Sequence, residues 1–195
     1  MIVASTPSAL KEHLAALRTR SAAVSFVPTM GNLHAGHLAL MQQARQSAEV
    51  VVASICVNPM QFAENEDLAT YPRTMEADLA ALREAGVDMV FTPNVEDIYP
   101  GGSALHTAIH VPVLGDSLCG RDRPGHFDGV CTVVCKLFQM VEPEIAVFGE
   151  KDLQQLSGKA KIALPSFISP IKSESINSLA FCIPPPKKVS GALPI

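Results

Sequence analysis

Val50-Val51-Val52-Ala53-Ser54-Ile55-Cys56-Val57 is the segment that most restricts the fold. A strand with one solvated face alternates apolar and polar residues. This run is apolar at nearly every position, so both faces must be covered, as in the central strand of a mostly parallel sheet with helices on either side. Other strand-like runs occur at 22–28, 87–92 and 145–148, and segments of helical spacing lie between them at 38–48, 74–85 and 130–141. This alternation predicts an α/β fold. In an open parallel sheet the ligand sits beyond the carboxyl ends of the strands. The polar motifs all follow strands: His34 and His37 after the first, Asn58 and Gln61 after the second, Lys151 and Asp152 after the last. They are expected to meet in one crevice.

Pro28-Thr29-Met30-Gly31-Asn32-Leu33-His34-Ala35-Gly36-His37 is the richest of these motifs. Its two glycines let backbone approach a ligand. A helix starting near Gly36 would aim free N–H groups and its positive end at an anion, with both imidazoles able to donate hydrogen bonds. A metal-binding pair or a structural turn are the competing readings of a bare HxxH; the preceding strand, the glycines and the helix start favour phosphate. In Asn58-Pro59-Met60-Gln61-Phe62, Pro59 stops the strand. Gln61 then becomes either a fixed amide at the mouth of the crevice or a merely solvated side chain, and Phe62 reads as packing. Phe148-Gly149-Glu150-Lys151-Asp152 repeats the strand-to-helix logic: Lys151 suits phosphate oxygens, and Asp152 could cap a helix, orient a ribose or help hold magnesium. Arg121, Arg123 and His126 form a polar loop that either receives an anionic carboxylate or is solvated. Glu64, Glu66 and Asp67 read as a solvated acidic turn.

The 195 residues, 48% hydrophobic and 17% charged, suit a globular chain with one full domain. A net charge of −4 argues against a general nucleic-acid binder. Neither a signal-peptide pattern at 1–7 nor an apolar run of the ~20 residues a membrane span needs is present, so a cytoplasmic protein without membrane association is expected. Cys56, Cys119, Cys131, Cys135 and Cys182 show no CxxC pair and no zinc-ribbon spacing. They read as buried free thiols, Cys131 and Cys135 sharing one helix face in a core stripe.

With these motifs in place, the chain closely resembles the pantoate–β-alanine ligase family, a nucleotidyltransferase group with a HxGH signature. The resemblance rests on the motifs at 28–37, 58–62 and 148–152, with Tyr71-Pro72-Arg73-Thr74 and Arg123-Pro124-Gly125-His126-Phe127 between them, in the family's order over residues 1–156. It implies a Rossmann-like parallel sheet, an ATP-dependent condensation of pantoate with β-alanine through pantoyl adenylate, magnesium, and a homodimer. By similarity, Met30, Gly31, Asn32, Leu33, His34, Ala35, Gly36 and His37 would hold ATP, with His37 as the proton donor. Gly149, Glu150, Lys151 and Asp152 would form a second ATP segment. Gln61 and Gln155 would hold pantoate, and Gln61 would also lie near β-alanine.

After Leu156 the resemblance ends. Residues 157–195 hold seven serines, six prolines and five lysines against one acidic residue. Pro184-Pro185-Pro186 cannot continue a helix or sit in a central strand. A divergent, poorly ordered tail is expected there. The family's Ser-Ser-Arg-Asn motif and C-terminal lid domain are not recognised in it, which leaves an incomplete sheet with an exposed edge. The functional expectation is the ligase; its alternative is an inactive fragment that retains nucleotide binding or associates with a partner.

Overall fold

The computed structural model describes residues 1–18, 22–62, 68–102, 105–110, 121 and 123–149, and the backbone of 170–172 and 178–182. The elements are β1 (Ile2–Ala4), α1 (Pro7–Arg18), β2 (Val24–Thr29), α2 (Ala35–Ser47), β3 (Val50–Ile55), a 3₁₀ turn (Pro59–Gln61), another (Leu68–Thr70), α3 (Met75–Glu84), β4 (Met89–Phe91), the one-turn α4 (Val95–Ile98), α5 (His126–Val141), β5 (Ile145–Gly149), β6 (Pro170–Lys172) and β7 (Ser178–Cys182).

Alternate residues of the parallel strands enter two different cores, and this is why the run at 50–57 is apolar at nearly every position. Phe26, Val50, Val52, Met89, Phe91, Ala146 and Phe148 pack with Leu10 and Leu14 of α1 and with Val134, Leu137 and Val141 of α5. Val27, Val51, Ala53, Ile55, Val90 and Val147 pack with Met41 and Ala44 of α2 and Leu82 of α3. Each valine, leucine, isoleucine, phenylalanine or methionine so buried contributes about 1.5–3 kcal/mol. The long α5 is held at its end by Arg18, whose guanidinium donates to Val141 O at 2.7 Å and to Glu142 O at 2.5 Å.

The sheet order is β1-β4-β3-β2-β5-β7-β6. The five strands from β1 to β5 run parallel, with Phe26 of β2 opposite Val52 of β3 on one side and Ala146 of β5 on the other. From β2 the chain steps outward through β3 to β4, then returns across the sheet to β5. The strand order therefore reverses between β2 and β5, and that switch point is where such sheets open a crevice.

The structure departs from the sequence expectation in two places. Ile2–Ala4 and Pro7–Arg18 form an edge strand and a helix that were not anticipated. A three-residue strand carries no alternation to read, whereas Leu10, Leu14 and Leu17 did carry a helical period. At the other edge, β7 lies antiparallel to β5 with Ile145 opposite Cys182, and β6 pairs with β7. The expected open edge at β5 is therefore occupied. An edge strand offers a row of unpaired N–H and C=O groups to any extended segment, whatever its side chains. Most of the segment expected to be a poorly ordered tail lies outside the described residues.

Candidate active site

The turn from β2 into α2 is built by backbone contacts that the side chains enforce. Thr29 closes β2: its hydroxyl donates to Ser54 O at 2.6 Å and accepts from Gly31 N at 3.2 Å. Gly31 (φ +81°) and Asn32 (φ +50°) are both left-handed. At Gly31 a Cβ would also stand 2.9 Å from Asp78 Oδ2 and 3.1 Å from Ile55 Cγ2, so conformation and space both require glycine. The next two amides turn onto one buried carboxylate: Asn32 N donates to Asp78 Oδ2 at 2.9 Å and Leu33 N to Asp78 Oδ1 at 2.8 Å. Thr74 Oγ1 donates to the same Oδ2 at 3.0 Å.

His34 is extended (φ −133°, ψ 176°) and serves as N-cap of α2. Its Nδ1 accepts from Gly36 N at 3.0 Å, and His37 Nδ1 accepts from His34 N at 3.3 Å. The two rings thus form a capping box in which imidazoles replace the usual hydroxyl and carboxylate. In a neutral imidazole whose Nδ1 accepts, the proton is on Nε2, so each ring carries one outward donor. Their centroids are 4.1 Å apart. Burial, and then the neighbouring His34 ring, hold His37 below the ordinary imidazole value, against an upward pull from Asp78.

This arrangement makes the cap sensitive to pH. Because the fold lowers His37's proton affinity, the stability it contributes is present above the unfolded value of about 6.5 and is lost as pH falls from there towards the folded value. The protection factor of the His34 amide, which donates to His37 Nδ1, is expected to drop between pH 7.5 and 5.5 while that of Val52 holds. A constant ratio between the two would remove the ring from the cap.

Gln61 stands across the crevice on the 3₁₀ turn and is 9% exposed. Its Oε1 accepts from Asn58 Nδ2 at 3.2 Å, and its Nε2 donates to Met30 Sδ at 2.7 Å. Asn58, 1% exposed, organises the turn: Nδ2 also donates to Gly129 O at 3.0 Å, while Oδ1 accepts from Tyr99 Oη at 2.8 Å and Met60 N at 3.3 Å. Burial pushes the Tyr99 phenol well above its ordinary value, keeping it a donor. The loop arginine and histidine at 123 and 126 are not merely solvated. His126 Nδ1 meets Gln61 O at 2.6 Å, which requires Nδ1–H, and His126 Nε2 lies 3.2 Å from Arg123 Nη1 as its acceptor. Arg123 Nη2 donates to the same Gln61 O at 3.3 Å. Both therefore fix the Gln61 backbone. Phe62 packs edge-on against Tyr71, ring centroids 5.7 Å apart, as expected.

Between the two turns lies a cavity of about 210 Å³, with Met30, His37, Gln61 and Tyr71 on its polar side and Val130, Val133, Val134 and Leu137 of α5 as its apolar wall. The structure thus brings Met30, Gly31, His37 and Gln61 together, with Asn32, Leu33, His34, Ala35 and Gly36 in the adjoining turn. Gly149 ends β5 beside β2. Glu150, Lys151, Asp152 and Gln155 lie outside the described residues, as do Glu64, Glu66 and Asp67. Cys56 also lines the cavity, but burial pushes its thiol up to about 11, so it stays protonated. Cys56, Cys131 and Cys135 are free; Cys131 is buried as the stripe reading expected, but Cys135 is only half-buried, so the two do not share a core stripe, and Cys119 and the side chain of Cys182 lie outside the described residues. Asp78 was missed by sequence reasoning. Its only signal, an acid in the first turns of a helix four residues after Thr74, reads as ordinary dipole stabilisation.

A crevice at this switch point, entered by a HxGH helix start, suits several nucleotide-using families, and comparison with known proteins decides among them. The family model of pantoate-beta-alanine ligase matches residues 2–162. The chain belongs to the pantoate–β-alanine ligase family. The pantothenate synthetase of Aeromonas hydrophila is 57% identical over 157 residues, covering 80% of this chain and 55% of that protein. That of Shewanella piezotolerans is 55% identical over 156 residues, again 80% of this chain and 55% of the relative. The chain spans about half the length of the curated relatives it matches. The crystal structure of pantothenate synthetase from Thermus thermophilus superposes with a TM-score of 0.76 at 48% identity, covering 84% of this chain and 57% of that one. The pantoate-beta-alanine ligase from Francisella tularensis, solved in complex with beta-gamma ATP and beta-alanine, gives 0.79 at 38% identity, covering 84% and 62%. The α/β fold is that of the family's N-terminal domain.

Proposed function

We propose that residues 1–156 are the ATP- and pantoate-binding domain of an enzyme that condenses pantoate with β-alanine to give pantothenate, AMP and pyrophosphate. The observation that carries this reading is the pair of imidazoles at the start of α2, each with Nδ1 engaged by backbone and Nε2 left as donor, with His37 lining one cavity with Gln61. In the first step a carboxylate oxygen of pantoate attacks the α-phosphorus of ATP, the bond to pyrophosphate breaks, and pantoyl adenylate forms. In the second, the β-alanine amine attacks the acyl carbon, AMP leaves with the bridging oxygen, and the amine loses a proton.

The residues suit the first step. His34 and His37 would donate to phosphate oxygens. His37, held neutral by burial, would present Nε2–H to the departing pyrophosphate, as a donor that gains basicity when the anion is beside it. Gln61 now spends its amide donor on a thioether, a weak acceptor that a hydroxyl or carboxylate of pantoate would displace. The valine and leucine wall of α5 matches the gem-dimethyl carbon of pantoate. Gly149, Glu150, Lys151 and Asp152 are proposed as the second ATP segment and Gln155 as a further pantoate contact, on the family pattern. Both Asp78 oxygens are committed to internal donors, so Asp78 does not fit a magnesium ligand. Magnesium, which keeps most of its shell as water and substrate phosphate, enters this reading with the nucleotide. A cytoplasmic homodimer is proposed on the same family grounds.

The test is AMP release by the 195-residue chain from ATP, pantoate and magnesium, with and without β-alanine. β-Alanine-dependent AMP is expected, and His37→Ala should lower it about 10²–10³-fold, the usual cost of one charge-stabilising donor, while leaving pantoate affinity within a few-fold. A folded sample that releases no AMP overturns the ligase reading for this chain; a fully active mutant removes His37 from it.

A further inference from the structure

We infer that Asp78 is the positioning residue of the nucleotide turn: its carboxylate, steadied by Thr74, holds the 31–33 backbone in its left-handed course and thereby fixes where His34 and His37 stand. The inference rests on reading residues 30–37 as the nucleotide turn.

The geometry is unusual in three ways. First, two successive residues, Gly31 and Asn32, are left-handed, and Asn32 has a side chain. Asparagine tolerates that conformation better than other residues with a side chain, but two left-handed residues in succession set a sharp backbone course, and contacts from outside the turn hold it here. The contacts present are two charge-assisted hydrogen bonds, from Asn32 N and Leu33 N, one to each oxygen of a carboxylate that is 3% exposed.

Second, the carboxylate comes from a different helix, 46 residues further along the chain than Asn32. It is not a local turn device. Among the described residues no cation forms an ion pair with it. It is tolerated by its place in the first turns of α3, at the helix's positive end, and by the Thr74 hydroxyl.

Third, the clamped segment leads directly into the histidine pair. With 32 and 33 turned onto Asp78, His34 leaves the turn extended, the conformation an N-cap needs, and the two rings close the capping box through Nδ1. Loss of the clamp would free Asn32 to leave its left-handed conformation, and the box would lose its fixed starting point. Asp78 would then set the direction of both Nε2 donors without touching the nucleotide. The Asp78 charge also acts on His37 through space, which a purely steric prop would not do.

The experiment compares the wild-type chain with Asp78→Asn and Thr74→Val by NMR, reading amide protection at Asn32 and Leu33 and the ring nitrogen shifts of His34 and His37. MgATP affinity is measured in parallel by calorimetry. Asparagine has nearly the same shape but only one acceptor oxygen, so one of the two amides loses its partner. Asp78→Asn is expected to lower protection of Asn32 or Leu33 at least tenfold, to replace the Nε2–H ring signature by averaged tautomers, and to weaken MgATP at least tenfold, with Val52 and Val90 amides unchanged. Thr74→Val, which keeps the carboxylate, should move the same signals about threefold, and it carries the test if Asp78→Asn does not fold. Wild-type ring signatures in both variants, or equal loss of protection in the core strands, overturn the inference. If the wild-type chain binds no MgATP, the nucleotide reading fails while the amide and ring signals still decide the role of Asp78.

Discussion

Gly129→Ala is expected to lower the unfolding free energy by about 3–5 kcal/mol, above the roughly 1–3 kcal/mol of ordinary overpacking. On propensity alone the change should stabilise α5 by about 1 kcal/mol, since alanine is the better helix former. Space reverses the sign. A Cβ at Gly129 would stand 2.3 Å from Met60 O, 2.5 Å from Met60 C and 2.8 Å from Gln61 N, all backbone atoms that no rotamer change can move aside. Either α5 or the Pro59–Gln61 turn must retreat. Retreat pulls apart the Asn58 bond to Gly129 O and the His126 bond to Gln61 O. Urea unfolding of the two proteins measures this directly: the midpoint should fall with an unchanged slope, and an equal or higher midpoint would show that the helix and the turn approach less closely. Because the same turn carries Gln61, the pantoate binding proposed for it should weaken in any folded fraction.

Asn58→Ala is expected to cost a similar amount, about 3–5 kcal/mol, for a different reason. The amide serves two acceptors and two donors, and removing it leaves the Tyr99 hydroxyl and Gln61 Oε1 buried without their partner. Each such group costs about 1–3 kcal/mol. Asn58→Asp separates the halves of the network. It keeps the oxygen that accepts from Tyr99 and Met60, but sets a second oxygen against Gly129 O and Gln61 Oε1. A protonated carboxyl can donate to one of them and an ionised one to neither. The folded state therefore favours the proton, and the variant should be less stable at pH 8 than at pH 5. Equal stability at the two pH values would mean that the Asn58 amide is oriented the other way.

Much of the architecture could be read along the chain, for identifiable reasons. The apolar run at 50–57 demanded two covered faces, and β3 has them. The placement of polar motifs after strands put His37 and Gln61 at one end of the sheet, and they line one cavity. The tetrad from His34 to His37 announced a helix start, and α2 begins at Ala35. These features are local: each depends on the period of a few neighbouring residues or on a residue's own conformational limits.

What could not be read depends on partners far apart in sequence. Arg123 and His126 present to a reader a charge and an imidazole in a loop, a natural carboxylate receptor. In the fold both point at the carbonyl of Gln61, 62 and 65 residues away, because α5 docks its first turn against the 3₁₀ turn. Gly129 likewise has its constraint from tertiary packing: that docking brings Met60 O to where its Cβ would be.

The sequence by itself determined the alternation of strand and helix, the two-faced central strand, the helix start at the histidine pair and, through its motifs, the family. Tertiary structure alone decided which groups hold that turn and the Gln61 turn in place: Asp78 from α3 for one, His126, Arg123 and Gly129 from the α5 side for the other. The division has a physical cause. Hydrophobic period and backbone preference act between near neighbours, whereas a buried carboxylate or a missing Cβ acquires its meaning only from the atoms that packing sets against it.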